Sequence, residues 1–118
     1  MFVILKKGGV FSNVRRISTS RSGASFDEAA VEAVWQRGFV VPRVDPRRLR
    51  KDACGAWTDR NCYGEITVNG KGWEIDHIVS VSKGGTDHIS NLQPLQWQNN
   101  RSKGESSIGW SCAVVAVQ

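Results

Sequence analysis

Cysteine is scarce and poorly spaced for metal binding. There are three, Cys54, Cys62 and Cys112, and no two of them form a C-x-x-C pair, so a zinc knuckle or thioredoxin-like site is not expected. Their default is a reduced, cytosolic setting in which they act as small buried hydrophobes. Long apolar runs are also missing. The opening Met1–Leu5 is too short for a signal-peptide core and runs into Lys6 and Lys7, while Ala113–Val117 cannot span a bilayer. No membrane or export role is expected, and the location expected is cytoplasmic. Acidic residues are outnumbered, 11 against 16 Lys and Arg, for a net charge of +5 and an isoelectric point near 9.5. That balance favours a polyanionic partner such as nucleic acid.

What is there amounts to one domain. A chain of 118 residues can bury a modest core without staples. Residues 1–24 read as an N-terminal arm, partly disordered, with Phe2–Leu5 as an edge strand and Arg15, Arg16 and Arg21 as a solvated basic stretch. Residues 25–104 form the domain and 105–118 a tail. Ser25-Phe-Asp-Glu28 has the form of a capping box. It predicts a helix with Phe26, Ala29, Ala30, Ala33 and Val34 as its apolar stripe and Gly38 just past its end. Asp45-Pro46 repeats the helix-start signal, so Arg47, Arg48, Arg50 and Lys51 are expected on a short helix gripping backbone phosphates. Trp57 and Tyr63 read as core anchors, Glu65–Val68 as a short strand and Asn69-Gly70 as a turn. In the tail, Trp110 is expected to pack on the domain, and Ala113–Val117 to add an edge strand or meet a second subunit or fused neighbour.

The most informative stretch is Trp73–Gly104, WEIDHIVSVSKGGTDHISNLQPLQWQNNRSKG. Trp73–Ile78 alternates like a half-buried strand with Trp73 and Ile75 on one face. Neighbouring strand residues face opposite sides, so Asp76 and His77 share a site only where the strand ends or bulges. The loop from Ser80 to His88, with Gly84-Gly85, provides that exit. Asn91–Gln96 reads as a second strand with Pro94 at an edge position, and Trp97–Lys103 as two helical turns.

Together the D-H-I-V, S-K-G-G-T-D, N-L-Q-P-L and N-R-S-K-G segments resemble HNH endonucleases in their His-Asn-Asn form. The upstream R-K-D-A-C-G and Y-G segments are similar to small phage and bacterial members. The resemblance implies an α+β fold with a small ββα-metal core, here with an additional N-terminal helix. It also implies a metal-dependent DNA endonuclease that hydrolyses phosphodiesters and, as a monomer, nicks one strand. His77 would be the general base, since imidazole titrates near neutral pH, and Asn91 would buttress the loop carrying it. Asp76 and Asn100 would offer oxygens to a divalent ion, Mg²⁺ first and Mn²⁺ as the alternative. Lys83, Arg101 and Lys103 would hold phosphates near the site. Gln96 and Asn99 stand where many relatives carry His or zinc-binding Cys, so no structural zinc is expected. His88 reads as an exposed loop histidine. The competing readings are a nucleic-acid-binding module of the same fold without turnover, and an RNA-directed or toxin-type nuclease. DNA is the expected partner, with RNA as the alternative; the state is a monomer or weak dimer, with membership of a larger nuclease or packaging assembly left open.

Overall fold

The structure, a computed structural model, describes residues 17–115. The expectations for Phe2–Leu5, Arg15, Arg16 and the end of Ala113–Val117 fall outside that range. The described residues form an α+β unit with two α-helices, α1 (Glu28–Trp35) and α2 (Trp97–Lys103), and two antiparallel two-stranded sheets. One sheet pairs β1 (Leu49–Lys51) with β2 (Trp57–Asp59). The other pairs β3 (Trp73–His77) with β4 (Leu92–Gln96) in regular register from Trp73 opposite Gln96 to His77 opposite Leu92.

The core lies between α1 and one face of the second sheet. Val31, Val34 and Trp35 pack against Trp73, Ile75 and Leu92, with Phe26 and Tyr63 partly buried beside them. Trp73 and Ile75 do share one buried face, as their alternation predicts, but β3 is buried on both faces and not half-buried, because α2 covers Glu74 and Asp76. Trp73 meets Trp35 at 5.3 Å and Tyr63 at 4.9 Å between ring centroids. Both indole N–H groups are satisfied, Trp35 by the Pro46 carbonyl and Trp73 by the Asp59 carbonyl, as buried indoles require.

Four local expectations are corrected. The cap of α1 is Asp27, whose carboxylate accepts from the Ala30 amide at 2.8 Å; Ser25 instead bridges Thr19. An anionic cap is also favoured by the helix dipole. The buried stripe is Val31, Val34 and Trp35, because the large side chains, not the alanines, have area to bury. Asp45-Pro46 starts a single turn, with the Arg48 and Leu49 amides donating to the Asp45 carbonyl, and the chain then extends into β1. Cross-strand pairing with β2 and burial of Arg50 override the local helix signal. Arg50 donates to the carbonyls of Pro46, Gln36 and Gly38 and to Gln36 Oε1. Glu65–Val68 is not a strand; it leads into the turn at Asn69-Gly70, where the Gly70 amide donates to the Thr67 carbonyl.

The cysteine expectation is also corrected. Cys54 and Cys112 form a disulfide across 58 residues, and Cys62 alone is free. The cross-link pins the tail beside a buried polar cluster. Asp52 accepts from the amides of Cys54, Ala56 and Gln96 and from the side chain of Asn99. Asn99 in turn donates to the Val114 carbonyl and accepts from the Ala113 and Val114 amides. Residues 113–115 therefore lie against α2 through Asn99, without adding a strand to either sheet. Gln96 caps α2, accepting from the Gln98 and Asn99 amides.

Candidate active site

β3, β4 and α2 follow one another with only the Ile78–Asn91 loop between the strands, and their contacts build the site. Glu74 and Asp76, two residues apart on β3, face α2, which presents Asn100, Arg101 and Lys103. A cavity of about 150 Å³ opens here, lined by Asp76, His77, Asn100 and Arg101 among others. Asp76 and His77 both line it without a bulge, with Asp76 turned toward Lys103 and His77 toward Phe26 and Asp87.

The buried charges are paired. Asp76 is 6% exposed, with one oxygen 3.2 Å from Lys103 Nζ and the other accepting from Gln93 at 3.0 Å. Burial pushes its carboxyl above the ordinary range, and Gln93, Lys103 and His77 only partly offset this. Glu74 accepts from Asn100 Nδ2 and from Arg101, each at 2.8 Å. The Arg101 guanidinium lies over the Trp97 ring, and its Nε is a buried donor with no hydrogen-bond partner among the described residues.

His77 is 4% exposed. Its Nε2 lies 2.8 Å from Asp87 Oδ1, and its ring sits 6.2 Å from that of Phe26. Asn91 does not hold the ring. It holds the loop: its side chain accepts from the Val79 amide and donates to the carbonyls of Val79 and Thr86, and its own carbonyl accepts from the Ile78 amide. The two glycines make this loop tight. Gly84 has φ +92°, and a Cβ on Gly85 would run into the Val79 carbonyl, so both positions need glycine.

The proposed phosphate grips divide. Arg101 lines the cavity, and Lys83 reaches the carbonyl of Glu105 on its rim. Lys103 is 2% exposed, held by Asp76 and the His77 carbonyl, so it braces the site from inside and is not a surface contact. Arg47, Arg48, Arg50 and Lys51 sit on β1 and the turn before it, away from the cavity lining. Arg47 pairs with Asp45, Arg48 with Asp59, Arg50 with backbone carbonyls, and Lys51 lies over Trp57. They do not form a common helical face. His88 is an exposed loop residue that caps the turn at Ile89–Asn91.

Two residues of the site were given no role in the motif reading, Glu74 and Asp87, although Asp87 closes the S-K-G-G-T-D segment. Glu74 was legible in principle, being two positions before Asp76 and so on its strand face. Asp87 lies in an irregular loop, where no periodicity marks it.

A hairpin and a helix thus bring a carboxylate, an imidazole and an amide to the lining of one cavity. Residues 60–106 match the family model described as HNH endonuclease, so the chain is similar to that family over this segment. No curated protein and no solved structure matches the chain. Among the described residues no group of three or more His, Cys, Asp or Glu side chains is arranged to hold a metal ion, and no helix is long and apolar enough to cross a membrane.

Proposed function

We propose that the chain is a metal-dependent DNA endonuclease that hydrolyses phosphodiester bonds one strand at a time, with β3, β4 and α2 as a ββα core. The observation that carries this reading is the convergence of Asp76, His77 and Asn100 on one cavity. Their chemistry suits a hard divalent ion. Asp76, Asn100 and the neighbouring Glu74 offer only oxygen, and Mg²⁺ takes one or two carboxylates while leaving room for substrate oxygens. Asp76 and Asn100 would hold it, Mg²⁺ first and Mn²⁺ as the alternative. Such an ion supplies neutralisation of charge on the phosphoryl group and the departing 3′ oxygen.

The remaining work falls to the chain itself. His77 takes the proton from the attacking water, and Asn91 keeps the loop after His77 closed. Arg101 presents its unpaired Nε to a phosphate oxygen, which would satisfy a donor otherwise buried at a cost. Products carry 5′-phosphate and 3′-hydroxyl ends. DNA is the substrate, with RNA the alternative to be run beside it.

The test is conversion of supercoiled plasmid to open circle by purified protein in EDTA, Mg²⁺ or Mn²⁺. The account expects nicking in the divalent ions only, and a loss of at least 100-fold in Asp76→Ala. Cleavage by that variant at the wild-type rate would reject the ligand assignment. One observation favours a second reading, a nucleic-acid-binding module without turnover: Asp76 and Glu74 already have Lys103 and Arg101 as charge partners. Plasmid bound but never nicked in any of these ions would favour that module.

A further inference from the structure

We propose that Asp87 is the positioning residue of His77, fixing which ring nitrogen carries the proton, and that the segment around Arg21 fixes Asp87. The role rests on His77 being the base, as above. Three contacts converge. Asp87 Oδ1 lies 2.8 Å from His77 Nε2. The Arg21 backbone amide donates to both oxygens of the same carboxylate, at 3.0 Å and 3.1 Å. Asn91, the motif residue closest in role, touches backbone of the surrounding loop and not the ring.

A carboxylate cannot donate, so a short contact to it places the proton on Nε2 and leaves Nδ1 with the lone pair. A carboxylate in this position also stabilises the imidazolium that forms when the base accepts a proton. The Arg21 amide matters because Asp87 sits on a loop, and a loop carboxylate alone is free to swing. Clamping from Arg21 aims Oδ1 at the ring. The clamp is itself anchored: the Ser20 amide donates to the Ala24 carbonyl, and Ser18, with φ +60°, accepts from the Ile75 amide on β3 and meets the Tyr63 hydroxyl. A serine in that left-handed conformation is uncommon, and these contacts hold it there. Residues 18–24 thus brace the imidazole from the far side of Asp87.

The experiment uses ¹⁵N-histidine-labelled protein without added metal, with the His77 ring signals assigned against His77→Ala, and measures nicking kinetics in parallel. Wild type should show His77 protonated at Nε2. Asp87→Ala should lose that single tautomer and about 10- to 100-fold in kcat with KM unchanged, the usual size for removing the residue that orients a functional histidine. Asp87→Asn can keep an oxygen at the Oδ1 position, so it should retain the tautomer and recover part of the rate. Two results would overturn the proposal: His77 protonated at Nδ1 in the wild type, or a folded Asp87→Ala with wild-type ring signals and kcat. Persistence of nicking in His77→Ala would instead refute His77 as the base, while the wild-type ring spectrum would still decide whether Asp87 sets the tautomer.

Discussion

At the scale of single residues, the site is a balance of buried charge. Asp76 and Lys103 are both nearly inaccessible, and each taken alone would be costly to bury. Breaking such a pair by removing one partner costs about 3–5 kcal/mol, because the other charge is left uncompensated. Lys103→Met should therefore lower the urea-unfolding free energy by about that much, and Asp76→Asn in the same background should restore part of it. A Lys103→Met protein as stable as wild type would mean that the pair is solvated in solution. That Asp76, His77 and Asn100 come to one cavity was legible in the sequence from residue type and order. The role of Lys103 was not, since a lysine serves equally on a solvated surface and only burial, which depends on the whole fold, distinguishes the two; nor was that of Asp87, whose loop carries no periodicity.

At the scale of elements, the stretch from Trp73 to Lys103 was readable because local and tertiary preferences agree there. Alternation placed Trp73 and Ile75 on one face, and Gln96 serves as the cap of α2. The Asp45–Lys51 segment was misread for the opposite reason. Its Asp-Pro opening is a real start signal, but one turn is all it makes before pairing with β2. Arg48 is drawn to Asp59 at the end of β2, and this gives the sheet a pH dependence. Burial pushes the Asp59 carboxyl up, but the Arg48 guanidinium, the Asn61 amide and Lys71 outweigh it, leaving it below the ordinary 3.8. A lowered folded value contributes stability that is present above 3.8 and is lost as pH falls through the folded value. Asp76, raised by burial, acts in the opposite sense, weakening the fold as pH rises past 3.8. Replacing Arg48 with Gln should therefore flatten the loss of stability below pH 4 without altering the Asp76 contribution above it. Thermal melts of both proteins across that range measure this, and identical profiles would mean that the Arg48–Asp59 pair is not formed. Arg48 is well exposed, so solvent screening keeps the effect small.

At the scale of the whole molecule, Arg47, Arg48, Arg50 and Lys51 are each engaged within the fold and do not gather into one clamp. The disulfide between Cys54 and Cys112 closes a long loop and holds the tail against α2, a link of a kind worth roughly 2–4 kcal/mol. Nothing in three unevenly spaced cysteines announced it; the pairing depends on the tail folding back to Asp52 and Asn99. The central claim concerns His77, and it is tested most directly by single-turnover nicking of supercoiled plasmid in Mg²⁺, wild type beside His77→Ala, with DNA affinity measured by gel shift on the same samples. The account predicts unchanged affinity and a fall in nicking of at least 100-fold. Equal nicking by the two proteins, or equal absence of nicking with both bound, would contradict it.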